Sequence, residues 1–406
     1  MPNPASGVFK QLAYKVESTY GTVPSASGAQ VLRRVQSTLD LTKDAYQSNE
    51  IRVDQQIADY RHGVRRVSGK ITGELSPLTY KDFFAQALRK DFVAGVSASS
   101  LTLTIAGAGP YTVTRSSGSY LTDGFKVGDV VRLSSSGSPA LVAANVAKNL
   151  LVTALTSTVM TVIVLNGSSM TAQSSIGSCT VAATGKKTYV PLTGHTDKSF
   201  SIEHFYSDLT QSEVFSGCKA SKIAIAMPPS GMVTFDADVM GQNVTTAASQ
   251  YFTNPTAATS TGCLAAVNGV LRVGGATVAT LTGLSLDITS NYSGDPVVGS
   301  NTVPFLFPGR VLVAGQATAY FDSVTLRDAF LNETELDLIA AFTAGGEANS
   351  DFMTFVLPRI KLGGAAKSDG EGGLVQTIPF QALLNTAGGS GVATEATTIS
   401  VQDSAA

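Results

Sequence analysis

The sequence predicts a mainly β chain made of two tandem copies of one domain, with a small all-β domain inserted into the first copy. Three observations predict it. The stretch Gly63 to Phe84 matches Gly309 to Phe330 without a gap: Gly63, Val67, Gly69, Thr72, Thr79, Asp82 and Phe84 recur as Gly309, Val313, Gly315, Thr318, Thr325, Asp328 and Phe330. The offset is 246 residues (Gly69 to Gly315). It becomes 247 upstream, where Leu39-Asp40-Leu41-Thr42 returns as Leu286-Asp287-Ile288-Thr289. A period this long means a repeated domain rather than a short solenoid unit. The second observation is composition: charged residues are only 14%, Gly numbers 39 and Trp is absent, a profile that suits strands and tight turns. The third is period-two alternation, as in Val233, Phe235, Ala237 and Val239 against Thr234, Asp236 and Asp238.

Taken in order, Val31 to Leu41 and Val64 to Leu75 read as half-buried strands. Between them Lys43 to Arg66 is polar and charged, with Ile51, Val53, Ile57 and Tyr60 scattered through it. It reads as a long loop or projecting ribbon, and because an isolated ribbon is marginal in water it is expected to lie on something. Ser76-Pro77 looks like a helix start, with Ser76 as cap and Pro77 in the first helical position. Tyr80, Phe83, Phe84, Ala87 and Leu88 then give one apolar face, ending near Arg89-Lys90. Copy two repeats the plan with Asp322 or Ser323 as cap and Leu336 to Phe342 as a further apolar run.

From about Ala94 to Thr188 the pattern changes to short strands (LTLTI, YTVT, VVRL, LLVTAL, TVIVL) split by Gly, Ser and Asn. This is the expected inserted barrel, of a size ordinary for one domain, decorating an outer surface. The expected division is residues 1–93 for the front of copy one, 94–190 for the insertion, 191–262 for the closing strands of copy one, and 263–387 for copy two. Residues 388–406, rich in Ala, Gly, Thr and Ser, are expected to be a flexible or partner-ordered tail.

Function classes narrow by exclusion. A formal net charge of −2 gives no global drive toward nucleic acid or membrane. No signal peptide and no membrane-length apolar run are expected. Cys179, Cys218 and Cys263 are odd in number and widely spaced, which argues against a disulfide framework or zinc site and for a reducing compartment. Gly107-Ala-Gly109-Pro110 precedes a strand and reads as a turn; Gly185-Lys186 lacks the upstream Gly of a phosphate loop. His62, His195 and His204 have no partner at ligand spacing and are read as surface or interface residues. No nucleophile elbow is present, and Asp236 with Asp238 reads as a solvated strand face rather than a catalytic pair. No enzyme and no cofactor is expected.

The remaining cluster is the ribbon, with Arg52, Arg61, Arg65, Arg66 and Lys70, together with Arg33 and Arg34, interleaved with Glu50, Asp54 and Asp59. Its mixed sign leaves three readings: a solvated ribbon, a docking arm whose arginines pair with carboxylates of a neighbouring subunit, or a nucleic-acid contact, which would need unopposed cations.

Leu12-Ala-Tyr-Lys-Val-Glu-Ser-Thr-Tyr-Gly-Thr-Val-Pro24, the run Tyr46 to Gly69 and the stretch Leu75-Ser-Pro-Leu-Thr-Tyr-Lys-Asp-Phe-Phe84 carry a resemblance. They resemble the tail tube proteins, or major tail proteins, of long non-contractile-tailed bacteriophages. The resemblance covers residues 8–92 best, 197–245 moderately, copy two weakly and the insertion not at all. It implies a β-sandwich or half-barrel with one flanking helix and a hairpin arm in each copy. It further implies rings whose inner strands form a continuous barrel, stacked into a tube that conducts DNA. Six single-domain copies usually make a ring, so two copies per chain imply a homotrimer with pseudo-sixfold symmetry. Glu50, Arg52, Asp54, Asp59, Arg61, Arg65 and Arg66 would then form the inter-subunit arm. Asp236, Asp238, Thr318 and Tyr320 are candidates to face the lumen. Expected partners are further copies of the chain, a tape measure protein, a tail terminator and distal tail or baseplate proteins. DNA would transit without specific binding and no membrane would be involved. The protein would reside in the virion after assembly in the host cytoplasm. Alternatives are another tail ring component, such as a terminator or baseplate protein, or a surface- or carbohydrate-binding β module.

Overall fold

The structure is a computed structural model that describes residues 4–278, 280–369 and 371–406. The chain begins with β1 (Lys10–Val16), β2 (Gln30–Val31), β3 (Gln36–Ser37), β4 (Asp40–Gln47), β5 (Tyr60–Glu74) and α1 (Lys81–Leu88). After β6 (Val93–Ala94) come β7 (Ser97–Ala106), β8 (Tyr111–Arg115), the one-turn α2 (Tyr120–Asp123), β9 (Val130–Ser135), β10 (Leu150–Leu155), β11 (Val159–Val164) and β12 (Gln173–Ala183). The first copy closes with β13 (Lys186–Tyr189), β14 (Phe200–Tyr206), β15 (Gln211–Met227), β16 (Thr234–Gly241) and β17 (Asn243–Ala247). The second copy holds β18 (Gly269–Val273), β19 (Ala276–Thr277), β20 (Leu281–Thr289), β21 (Leu312–Tyr320), α3 (Thr325–Leu331), β22 (Leu336–Thr343), β23 (Phe352–Leu362), β24 (Ala366–Lys367), β25 (Val375–Ala382) and β26 (Ser400–Asp403). The fold is mainly β, as the composition predicts.

The same set of pairings occurs in both halves. In the first, β2 pairs β1, β1 pairs β14 and β14 pairs the front of β15, forming an outer sheet edged by β17. The back of β15 pairs β16, which pairs β5, which pairs β4, forming an inner sheet. In the second half β19-β18-β22-β23 and β20-β21-β25-β23/β24 repeat these two sheets. One strand thus serves both sheets. In β15 the changeover falls at Gly217, whose φ of +66° lies in the left-handed region, and whose N–H donates to the buried Glu17 carboxylate at 2.8 Å. Glu17 also accepts hydrogen bonds from Ser199, Ser201 and the Gly21 N–H, so the buried charge is satisfied.

The recurring Gly69 and Gly315 have a steric reason. A Cβ on Gly69 would lie 2.5 Å from the Thr38 carbonyl oxygen, and one on Gly315 2.3 Å from that of Ser285. Each inner sheet needs a glycine where the neighbouring strand crosses closest.

The two inner sheets are one. The back of β15 also pairs β20, with Ala224 opposite Asp287 and Ile225 opposite Leu286. The hydrophobic core runs through both halves, from Leu12 and Phe83 to Phe380 and Val401. The insertion is a closed barrel in the order β10-β11-β8-β7-β12-β9 with its own core around Leu103, Tyr120, Phe125 and Val162. It is seated rather than hung: Val130, Leu151 and Leu165 of the barrel pack on Ile339, Phe352 and Val356 of the second copy.

Three expectations need correction. The tail expected to be flexible forms β26, which pairs the front of β23 as β17 pairs β15, and Ile399 and Val401 are fully buried. Its low charge and small residues conceal a strand whose partner lies some way back along the chain. The first helix starts at Lys81 rather than Pro77. Leu78 takes a left-handed φ of +70° and gives its N–H to the Asp403 carboxylate at 2.7 Å, so the tail holds Ser76 to Tyr80 as a turn. The second helix has Val324 at its cap position rather than Asp322 or Ser323.

Candidate assembly surfaces

The expected ribbon is a β4–β5 hairpin, with Gln47 opposite Tyr60 as its last pair and residues 48–59 forming the tip. Three ion pairs lie within the arm. Arg52 meets Asp54 at 2.8 Å, Arg61 meets Asp59 at 2.8 Å and Arg66 approaches Asp44 at 3.8 Å. The guanidinium hydrogen bonds hold both the Asp54 and Asp59 carboxyls below their usual range. Exposed pairs of this kind are screened by solvent and add little to stability. Glu50 makes no ion pair among the described residues. Arg65 instead turns inward, its backbone N–H donating to Asn301 O at 2.8 Å and its side chain reaching Asn243.

What the arm leaves unmatched is apolar. Ile51 and Val53 are fully exposed, Ile57 is 65% exposed and Tyr60 56%. Ile51, Val53 and Ile57 lie in the tip beyond the β4–β5 pairing, and Tyr60 closes that pairing with its ring edge-on to His62, so among the described residues these side chains are left largely to solvent.

The four residues expected to face a lumen share one face of the inner sheet. Asp236 and Asp238 stand opposite Thr72 and Lys70 on β5, and Thr318 stands opposite Thr377 on β25, two residues before Tyr320. Alternation puts Phe235, Ala237, Ala317 and Ala319 into the core from the other face. Lys70 sits 3.8 Å from Asp236 and 3.7 Å from Asp238, and Lys222 3.0 Å from Asp287. With Asp40 and Glu74 at its margins, and with Arg66 and Lys361 brought to the same side by the Thr42–Arg66 and Lys361–Gln381 pairs, the face sets these two cations, Lys70 and Lys222 against the five carboxylates Asp40, Glu74, Asp236, Asp238 and Asp287, with Ala224, Ala226 and Ala314 among its Ser, Thr and Gln. It is polar, weakly acidic and free of aromatic platforms apart from Tyr320 at its rim.

The inner sheet has two open ends. Among the described residues β4 pairs only β5, and β24 pairs only β25. An unpaired edge is a template for another strand. The β24 edge escaped the sequence reading because Gly363-Gly364 before it looks like a loop; its only signal was equivalence with the back of β15.

The histidines divide. His204 is buried rather than superficial, its Nε2 2.9 Å from Ser37 Oγ; burial, reinforced by Lys10 and Arg34, lowers its pKa to about 3, so it is neutral. No cluster of three or more metal-ligating side chains occurs among the described residues, and no described helix is long and apolar enough to cross a membrane.

The continuous two-sheet β scaffold thus leaves a polar sheet face, two open strand edges and a projecting arm exposed. A family model described as phage tail tube protein matches residues 10–382, and the chain belongs to that family. It is a structural component of the virion tail. No curated protein matches the chain.

Proposed function

We propose that this protein forms homotrimeric rings, pseudo-sixfold because each chain carries two copies of the tube domain, and that the rings stack into the hollow tail tube of a siphophage. The observation that carries this reading is the pairing of β15 with β20, which fuses two copies of the inner sheet side by side within one chain. A ring of single-copy subunits needs that contact between molecules; here half of the contacts are covalently secured. Three chains then supply six copies, and closing the sheet removes its edges. Stacking is heterologous and open-ended, as a filament requires.

The polar face bearing Asp236, Asp238, Thr318 and Tyr320 lines the lumen in this reading. DNA carries about one charge per 1.7 Å of axis, so a weakly acidic wall keeps it from adhering during ejection into the host. The arm containing Glu50, Arg52, Asp54, Asp59, Arg61, Arg65 and Arg66 bridges subunits. A tape measure protein within the tube, a terminator at one end and distal tail or baseplate proteins at the other are the partners such a tube requires. The inserted barrel decorates the outside.

The test is negative-stain electron microscopy of the purified protein. Hollow tubes support the reading. Single closed rings that never stack would favour a terminator or baseplate component, and glycan binding by the barrel would favour a binding module.

A further inference from the structure

The two copies in one chain meet across a junction with three parts, and each part is present a second time with nothing against it. Equivalence of positions follows from pairing. Asp40 faces Ser68 as Asp287 faces Ala314, and Tyr46 faces Arg61 as Ser293 faces Phe307. Asp40 therefore corresponds to Asp287, and, running back from Arg61 and Phe307, Tyr60 corresponds to Leu306 and Ile57 to Val303.

The first part is the strand seam, in which Asp287 of β20 lies opposite Ala224 of β15. In the second copy Ala366 takes the place of Ala224: it faces Thr377, and Thr377 faces Thr318, as Ala224 faces Asp236 and Asp236 faces Thr72. The free edge of β24 is therefore the unfilled counterpart of the seam, and the free edge of β4 is its unfilled complement.

The second part is the arm. The segment between β20 and β21 is the arm of copy two, and it folds down onto copy one. Val303 and Leu306 are 4% and 8% exposed there, packed with Val64 beside Tyr20 and Met240. Their counterparts Ile57 and Tyr60 are 65% and 56% exposed. The third part is the helix. Phe84 of α1 is fully buried with its ring 6.0 Å from that of Phe355 in copy two, and Ala85 beside it is 2% exposed. The counterparts on α3, Phe330 and Leu331, are 36% and 63% exposed.

We infer that a second copy of this chain fills these places, so that the contact between chains reproduces the junction within a chain. In the seam, β4 of the next chain adds to β24 with Asp40 opposite Ala366 and Leu39 opposite Lys367. The arm of the next chain lays Ile57 and Tyr60 over Arg310 and Gln381, which stand where Val64 and Met240 stand in copy one and are exposed. The residue differences are complementary: where copy two offers Leu306 to an apolar floor, the arm offers Tyr60, whose ring suits an arginine beneath it. Phe330 and Leu331 pack against copy one of the next chain. Such a head-to-tail contact closes into a ring after a fixed number of chains.

The inference rests on the ring reading above, and its test separates the two. Asp40→Cys and Ala366→Cys are combined in a Cys263→Ser background, which removes the one native cysteine that is not buried, and the particles are oxidised and run under denaturing conditions. The expected result is covalent trimers and nothing larger, with little cross-linking when Ser368→Cys replaces Ala366→Cys. Tubes that form but cross-link at the shifted pair, or at neither, overturn this seam while leaving the ring reading intact; a wild-type chain that stays dispersed overturns the ring reading itself. As an independent check, Ile57→Asp should keep the thermal unfolding of the dispersed chain unchanged and abolish assembly, and normal assembly of that variant overturns the placement of the arm.

Discussion

Phe84 and Phe330 occupy equivalent positions in the two copies, so truncating each should have opposite consequences for stability and assembly. Phe84 is fully enclosed, with rings of Phe235 and Phe355 at 5.6 Å and 6.0 Å. Phe84→Ala removes the buried ring and leaves a cavity between the copies, a change that costs about 3–5 kcal/mol. Phe330 is 36% exposed on an open face; Phe330→Ala encloses no cavity and loses about 1–2 kcal/mol of transfer free energy. If Phe330 is covered by the next chain, each seam between chains weakens in addition by a fraction of a Phe transfer, and a ring breaks when any seam opens. Urea unfolding of dispersed chains followed by far-ultraviolet circular dichroism gives the first quantity, and tube yield by electron microscopy the second. The expected pattern is a strongly destabilised Phe84→Ala chain and a Phe330→Ala chain that loses only about 1–2 kcal/mol yet fails to form tubes. A Phe330→Ala chain destabilised as much as Phe84→Ala, or one that assembles at the wild-type yield, would refute the equivalence of the two faces.

Replacing residues 48–59 by a two-residue Asn-Gly turn, which the Gln47–Tyr60 pair accommodates, should give a stable chain that sediments as a monomer and forms no tubes. Lys187 is held by Asp129 at 2.8 Å and Glu395 at 2.9 Å; burial alone would lower its pKa, but the two carboxylates carry it above the usual lysine value. Lys187→Met should therefore cost about 3–5 kcal/mol by leaving buried carboxylates unpaired, measurable by the same urea titration. Asp403 has its pKa raised to about 6 by burial, against an ordinary value of 3.8, with the Leu78 and Ala405 N–H groups opposing the shift. Because the folded state binds this proton more tightly, the group's contribution is most favourable below the unfolded pKa and is lost as pH rises through about 6; Asp403→Asn should flatten the pH dependence of stability between those two values. Excision of residues 97–183 with a short linker, which the Lys186–Ala94 pairing permits, uncovers Ile339, Phe352 and Val356. The excised chain should aggregate unless Ile339 and Val356 are changed to Thr, in which case light scattering should report dispersed chains.

Much of this architecture was legible in the sequence because its devices are local. The inner strands announce themselves by alternation, the arm by a polar run between two such strands, and the repeat by Gly69 and Gly315, which recur where a backbone crosses too closely for a side chain. The polar face was legible for the same reason: Asp236, Asp238 and Thr318 are fixed to one side by the period of two. What escaped depends on distant partners. β26 has weak strand composition and is made by pairing with β13 and β23, and the turn ahead of α1 is set by Asp403 from the far end of the chain. His204 is buried because β1 and β15 flank β14, which no local pattern reveals. The arm was read through its arginines, yet Arg52 and Arg61 are matched by Asp54 and Asp59 two residues away; the exposed feature is the apolar set Ile51, Val53, Ile57 and Tyr60.

The measurement that bears most directly on the central claim is a cryo-electron microscopy map of the assembled tube at a resolution that separates strands. The account predicts three chains per ring, six similar lobes around the lumen, β15 paired with β20 inside each chain and β24 paired with β4 between chains. Six chains per ring, or a lumen wall in which the two copies of one chain lie in different rings, would contradict it.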